Sequence, residues 1–376
     1  MSIKFNLLAI LLFLFSFTSA QNNLPLIYAN STSVDILEGG KIKKEAWTIS
    51  PDIKPDIYIT EISNNKITFY TDIDSISFNV STNGVYDFII VLNHKDSAYT
   101  KIKYHDSNLA VLKTSGSYSN KSYPSIPPFS YLDSSDNNLK SLRKAFNLDS
   151  IAGTGNDANR IINLMHWIHY LVPHDGQHDN PVIRNAMSMI NECKAGNRGL
   201  NCRGLATVLN ECYLSLGIKS RFVTCMPKDT NDTECHVINM VFANDLNKWI
   251  WIDPTNDAYI MNENGDLLSI QEVRERLISG KTLIVNPDAN WNRRGTAVKE
   301  EYLFNYMAKN LFWFDCPINS KYDTETRAEG KKINYIRLFP EDCLIQKKPL
   351  QETLADKGTT FYSYKTTNAD LFWAKP

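Results

Sequence analysis

Alternation of apolar and polar residues governs the chain from Gln21 to about Tyr104. Ile67, Phe69 and Ile73 alternate with polar neighbours, and the phase then shifts so that Ile76, Phe78 and Val80 share a face. Asn83-Gly84 follows, a pair suited to a hairpin turn because both central residues of such a turn need positive φ. Tyr86, Phe88, Ile90 and Leu92 alternate through the next strand, and Asn93-His94-Lys95-Asp96 turns into another near Ser97–Tyr104. The pattern predicts a small antiparallel β-sandwich. It holds no cluster of catalytic residue types, so the expectation for it is an accessory or binding role.

The pattern changes after that. Thr114 to Asp136 holds eight Ser and three Pro in 23 residues, a composition that resists helix and sheet and predicts a linker or lid. Helical spacing then takes over. Leu139 to Phe146 is one predicted helix, and Ala158 to Leu171 is a second, with Ile161, Leu164, Ile168 and Leu171 on one face. Pro181 is expected to open a third that runs toward Cys193.

The turn-rich loop Asn197-Arg198-Gly199-Leu200-Asn201 precedes Cys202. From there Leu205, Ala206, Leu209, Cys212 and Leu216 fall on one helical face, and Gly217 closes the helix. Cys202 therefore stands at a helix N-terminus, where unpaired N–H groups and the positive dipole end favour the thiolate and can stabilise an oxyanion. Lys219 to Met226 reads as a strand, Pro227 to Glu234 as a polar loop, and Cys235 to Phe242 as a returning strand that begins with His236. Trp249-Ile250-Trp251-Ile252 forms a further strand ending at Asp253-Pro254-Thr255. Antiparallel neighbours bring His236 and Asp253 to one edge, facing the Cys202 helix. A thiol nucleophile needs a base within reach, and that base needs a third group to fix its orientation.

Composition narrows the setting. The 376 residues carry 40 basic and 41 acidic side chains, a net charge of −1 that removes the electrostatic case for nucleic acid as a partner. Hydrophobic residues at 43% and charged residues at 22% are globular values, and the length suits two or three domains. Lys4, the apolar stretch Leu7 to Phe17 and the small residues Thr18-Ser19-Ala20 read as a signal peptide cleaved near Ala20, so the protein is expected to be exported to the periplasm, the cell surface or the medium. No downstream apolar run has the length of an integral membrane span. In an oxidising compartment the seven cysteines can pair, and Cys225 with Cys235, or Cys316 with Cys343, are pairs that the spacing offers. No connectivity is assigned.

The run Cys202-Arg203-Gly204-Leu205-Ala206, the helix end Leu216-Gly217-Ile218-Lys219-Ser220-Arg221, His236 opening a strand, and Trp251-Ile252-Asp253-Pro254-Thr255 together resemble the transglutaminase-like superfamily. The resemblance covers Ala158 to Ile260. It implies an α+β fold with a papain-like Cys–His–Asp core, preceded by the β-sandwich and followed by a mixed C-terminal region. It also implies Cys202 as nucleophile, His236 as general base and then acid, and Asp253 as the group orienting the imidazole. The residues before the nucleophile depart from the family pattern, which leaves Asn201 and Trp167 as candidate oxyanion donors. The expected organisation is thus a signal peptide over 1–20, an accessory sandwich over 21–113, a linker over 114–136, a catalytic domain over 137–262 and an α/β region over 263–376 packing on the core.

The resemblance implies action on a protein or peptide substrate through a thioester, without a cofactor. Hydrolysis of a peptide or amide bond is the expected reaction, with glutamine transamidation and a non-catalytic surface scaffold as alternatives. His166, His169, His174 and His178 cluster within 13 residues, but their spacing matches no zinc signature and no metal ligands are assigned. Tyr302 to Phe314 is expected to form one aromatic helix whose faces either pack on another domain or line a groove. Oligomeric state has no signature in the sequence.

Overall fold

The computed structural model describes residues 24–119, 126–344 and 350–376. The expected signal peptide and part of the Ser/Pro-rich stretch lie outside the described residues. The chain divides into two compact units, one ending at Asp106 and the other beginning at Ser107.

Among its described residues the first unit contains eight strands: β1 (Leu26–Ala29), β2 (Ser33–Glu38), β3 (Lys41–Thr48), β4 (Asp56–Thr60), β5 (Asn65–Tyr70), β6 (Ser75–Val80), β7 (Val85–Leu92) and β8 (Asp96–Tyr104). They form two sheets, ordered β1-β7-β8-β4 and β3-β2-β5-β6. The second is antiparallel throughout, whereas β1 and β4 join their sheet in parallel to β7 and β8. The inward faces, with Ile36, Ile67 and Phe69 on one sheet and Phe88, Ile90 and Ile102 on the other, share one apolar core. The turn at Asn83-Gly84 is not a hairpin, because β6 and β7 belong to different sheets. One hairpin joins β7 to β8, where Asn93 and His94 both adopt left-handed φ, at 52° and 53°.

The second unit opens with α1 (Asn108–Lys113), β9 (Ser130–Tyr131), α2 (Asn137–Ala145), α3 (Leu148–Ala152) and α4 (Asp157–Leu171). Then come α5 (Ala186–Gly196), α6 (Cys202–Ser215), β10 (Ser220–Met226), β11 (His236–Ala243), β12 (Lys248–Ile252), β13 (Ile260–Met261), α7 (Ile270–Ser279) and β14 (Ile284–Val285). A π-helix over Glu300–Met307 leads through α8 (Ala308–Asn310) to β15 (Trp313–Pro317), β16 (Asn319–Ser320), β17 (Lys332–Leu338) and α9 (Glu341–Leu344). The chain finishes with β18 (Gln351–Asp356), β19 (Thr359–Thr366) and α10 (Ala369–Phe372). Proline at 181 does not start α5; Asn185 does, its side chain accepting from the Ser188 N–H at 2.9 Å. The expected aromatic helix is also shorter than its composition suggested, since Trp313 and Phe314 lie on a strand.

Seven strands form the main sheet, ordered β12-β11-β10-β15-β17-β19-β18 and antiparallel except for the β17–β19 pair. Both faces of its first strands are covered. Ile238 and Met240 on β11, with Trp249 and Trp251 on β12, pack against α7, the π-helix and β15. The alternate residues, Val241, Ala243, Ile250 and Ile252, pack against the helices α2 to α6. This explains why β11 is buried at every position, a pattern proper to a strand covered on both sides. Helix α6 is buried all round from Gly204 to Ser215, and two of its polar side chains are paired inside: Tyr213 donates to the Ile161 carbonyl at 2.8 Å, and Glu211 accepts from the Ala186 and Asp323 N–H groups. Burial pushes the Glu211 carboxyl up to about 8. Among the described residues no helix is long and apolar enough to cross a membrane.

Candidate active site

Asn201 sets the start of α6. Its side chain accepts from the Gly204 N–H at 3.1 Å, a cap worth about 1 kcal/mol. Asn180 clamps Asn201 from the other side, donating to its Oδ1 at 2.7 Å and accepting from its backbone N–H at 3.0 Å. A Cβ at 204 would come within 2.5 Å of the Asn180 Oδ1, so a larger residue there would displace the Asn180 clamp. The cap delivers Cys202 to the first helical position, where it packs against Ala206, Phe222 and Val237. Here the N–H groups of the first turn have no intrahelical acceptor.

Sheet register supplies the partners. Pairing of Asn239 with Ile252 puts Asp253 one step past the end of the β11–β12 ladder, diagonal to His236 and on the same face. The His236 Nε2 lies 2.7 Å from the Asp253 Oδ2, with side-chain exposures of 1% and 0%. Asp253 is saturated: Oδ1 accepts from the Thr255 N–H at 2.9 Å, and Oδ2 also accepts from the Tyr302 hydroxyl at 2.7 Å and the Asn256 amide at 3.0 Å. The loop is closed by reciprocal backbone bonds between Asp253 and Ala258. Burial opposes the Asp253 charge, but the imidazole and these donors hold its carboxyl at about 2. On the His236 ring, the remaining nitrogen, Nδ1, is buried without a conventional hydrogen-bond partner and interacts with the Cys202 thiol. Tyr306, one turn beyond Tyr302, lies edge-on to the ring at 5.2 Å. Burial disfavours the imidazolium, yet the Asp253 charge raises His236 well above its ordinary value.

A second imidazole reaches the sulfur. Gly199 lets the segment before Cys202 run close to the one before His174, since a Cβ there would meet the Pro173 carbonyl at 2.5 Å. Backbone bonds between Pro173, Asp175 and Leu200 fix the pair, and Asn292 brackets His174 by accepting from its N–H at 2.6 Å and donating to its carbonyl at 2.8 Å. The Trp291 indole donates to the His174 Nδ1 at 3.3 Å. Indole is a donor only, so Nδ1 accepts and the proton resides on Nε2, free to donate to the sulfur. Burial by itself would raise the Cys202 thiol. The flanking His174 and His236 imidazoles, the His236 charge and the Val237 N–H lower it to about 6.

Five other cysteines go the opposite way. Burial raises Cys193, Cys212, Cys225, Cys235 and Cys316. Cys225 and Cys235 do not bridge: Cys225 pairs in register with His236, so Cys235 falls one residue out of step.

The structure thus brings together Cys202, His236 and Asp253. It gives Asn201 a capping role and packs Trp167 against Phe146, with ring centroids 5.9 Å apart. His174 and Tyr302 are the residues that the motif pattern did not assign to the site. Their only signal was membership of a histidine cluster and of an aromatic run.

Residues 144–254 match the transglutaminase-like superfamily, and the chain carries a transglutaminase-like domain with mixed α and β content. No curated protein matches the sequence. Among solved structures, it is similar to a candidate cysteine protease from Cytophaga hutchinsonii, with 19% identity and a TM-score of 0.27 over 49% of this chain and 59% of that one. A candidate protease from Parabacteroides distasonis shares 10% identity at a TM-score of 0.22, over 63% of this chain and 60% of that one. The chain spans about three fifths of the length of these two proteins.

Proposed function

We propose that the protein is an exported cysteine hydrolase that cleaves peptide or related amide bonds through a thioester on Cys202. The observation that carries this reading is the arrangement around Cys202: it opens helix α6 beside the His236 ring, whose Nε2 lies 2.7 Å from the Asp253 Oδ2, and its thiol is lowered to about 6 while burial raises Cys193, Cys212, Cys225, Cys235 and Cys316. At neutral pH Cys202 is then a thiolate beside a His236 imidazolium.

In this reading the sulfur attacks the amide carbon. The developing oxyanion is received by the first-turn N–H groups of α6 and by the His174 imidazole N–H. His236 passes its proton to the departing nitrogen, the C–N bond breaks and the acyl group remains on sulfur. His236, now neutral, takes a proton from water; the hydroxide attacks the thioester and the thiolate leaves. Asp253 stays ionised throughout, holding the ring by Nε2 so that Nδ1 serves the sulfur. Tyr302 and Asn256 position Asp253 in turn. In the same reading residues 1–20 are a signal peptide, the two-sheet unit is accessory, and the stretch from 263 onward belongs to the catalytic body because it supplies Tyr302.

The test is hydrolysis of a peptide library by the purified protein beside its Cys202→Ala variant, with a labelled primary amine present in parallel. Peptide cleavage lost in the variant supports the reading. Equal cleavage by both would falsify it, and amine incorporation outpacing hydrolysis would move the assignment to a transamidase.

A further inference from the structure

Four residues past Asp253, the same loop carries a second acid in a different setting. Asp257 is fully buried and adopts a left-handed backbone at φ 50°. Its Oδ1 lies 2.7 Å from His166 Nδ1 on α4, and its Oδ2 is buried with no hydrogen-bond partner. An unpaired buried carboxylate oxygen is costly, and such atoms call for a missing partner. Asp288 stands beside the other ring nitrogen, its Oδ2 3.7 Å from His166 Nε2, so the two acids flank one imidazole. One donor atom from each of the three residues lies within 4.8 Å of the others. Donors that share one cation at roughly 2.0–2.2 Å stand about 3 to 4.4 Å apart, so a small contraction around an ion meets that spacing.

The surroundings suit an ion as well. The Asn286 amide donates to the Asp257 carbonyl at 2.9 Å and to the Asp288 Oδ1 at 2.8 Å, and its own Oδ1 is fixed by the Tyr259 N–H. That is the kind of supporting contact that orients metal ligands. Among the described residues no lysine or arginine pairs with either carboxylate, so two negative charges face one imidazole. His166 is 29% exposed and Asp288 57% exposed, which gives the ion a solvent route and water for its outer positions. The neighbouring His169 is not available as a ligand, being buried and bonded to the Pro254 carbonyl at 3.0 Å.

We propose that His166, Asp257 and Asp288 bind one divalent transition cation, which ties α4 to the loop that follows Asp253. A nitrogen donor beside two carboxylates suits Mn²⁺, Fe²⁺ or Zn²⁺ better than Ca²⁺ or Mg²⁺, which favour all-oxygen shells. The cation takes the place of the proton between His166 and Asp257, and their 2.7 Å pair opens to ligand spacing.

Mn²⁺ is the probe, added to chelator-treated full chain carrying Cys202→Ala so that the reactive thiolate cannot compete. Binding is followed by loss of the free Mn²⁺ electron-resonance signal and by thermal shift. The expected result is about one equivalent bound, weakened about ten-fold or more by Asp288→Asn and by His166→Gln, while metal-free melting of the exposed-site variant Asp288→Asn is unchanged. No binding below about 1 mM, or binding indifferent to both substitutions, overturns the site. Ca²⁺ bound as tightly as Mn²⁺ and unaffected by His166→Gln also overturns it, because the imidazole is then no ligand.

Discussion

Two histidine–aspartate pairs lie at the two ends of one short loop, and each has a ring nitrogen 2.7 Å from a buried carboxylate oxygen. At His236–Asp253 every carboxylate lone pair is directed at a donor, the ring is enclosed and a sulfur faces the far nitrogen. At His166–Asp257 one oxygen is orphaned, the ring is partly open and a second carboxylate approaches from solvent. The pairwise contact is the same. What differs is what completes the valence around it: a saturated acid organises a base for a nucleophile, while an unsaturated one leaves room for a cation. A histidine–aspartate distance therefore says little about chemistry until the remaining lone pairs are assigned.

Substitution at each pair tests that contrast. Cys202→Ala removes the nucleophile and is expected to lower hydrolysis about 10⁵-fold or more, to background, with melting temperature preserved. Asp253→Asn comes next, at about a thousand-fold in kcat/KM, because the imidazole loses its orienting charge. It also moves the pH midpoint of Cys202 alkylation. Reactivity toward iodoacetamide rises with pH as the thiol ionises, so the native midpoint falls near 6. Without the Asp253 charge the imidazolium is weaker, stabilises the thiolate less, and the midpoint climbs toward the ordinary thiol value of about 8.5. Asp257→Asn is the paired control: it abolishes Mn²⁺ binding and leaves the alkylation midpoint where it was. An Asp257→Asn midpoint as displaced as that of Asp253→Asn would erase the distinction between the pairs.

Smaller effects refine the catalytic side. His174→Ala is expected to cost about a hundred-fold in kcat with little change in KM, as for loss of one oxyanion donor. His174→Gln, which keeps an N–H, should recover part of it. Tyr302→Phe removes one hydrogen bond to a charged acid that keeps its other donors, so a loss of about ten-fold is expected, read in the pH profile as well as in kcat.

Much of this arrangement was legible in the residues, for reasons that are local. A turn-rich loop before a periodic apolar run marks a helix start, so Cys202 had to sit at an N-terminus. A strand that begins at His236 and another that ends at Asp253-Pro254 place both side chains at a sheet edge. The less legible parts were long-range. Asn83-Gly84 has hairpin chemistry, yet the flanking strands pair elsewhere, and tertiary pairing overrode the turn signal. Helix α6 showed an apolar face, but Asn210 and Glu211 are buried too, because their partners arrive from other segments.

Local order alone determined the alternation of the first strands, the helix that presents the thiol and the edge positions of its base and acid, since each depends on residues a few places apart and on backbone geometry. Tertiary structure decided which groups surround them. Tyr302 reaches Asp253 across 49 residues, Asp257 meets His166 across 91, and Trp291 fixes the His174 tautomer across 117. No short-range pattern encodes such contacts: they exist only once the sheet is covered on both faces, and burial makes every unpaired polar atom costly enough to matter.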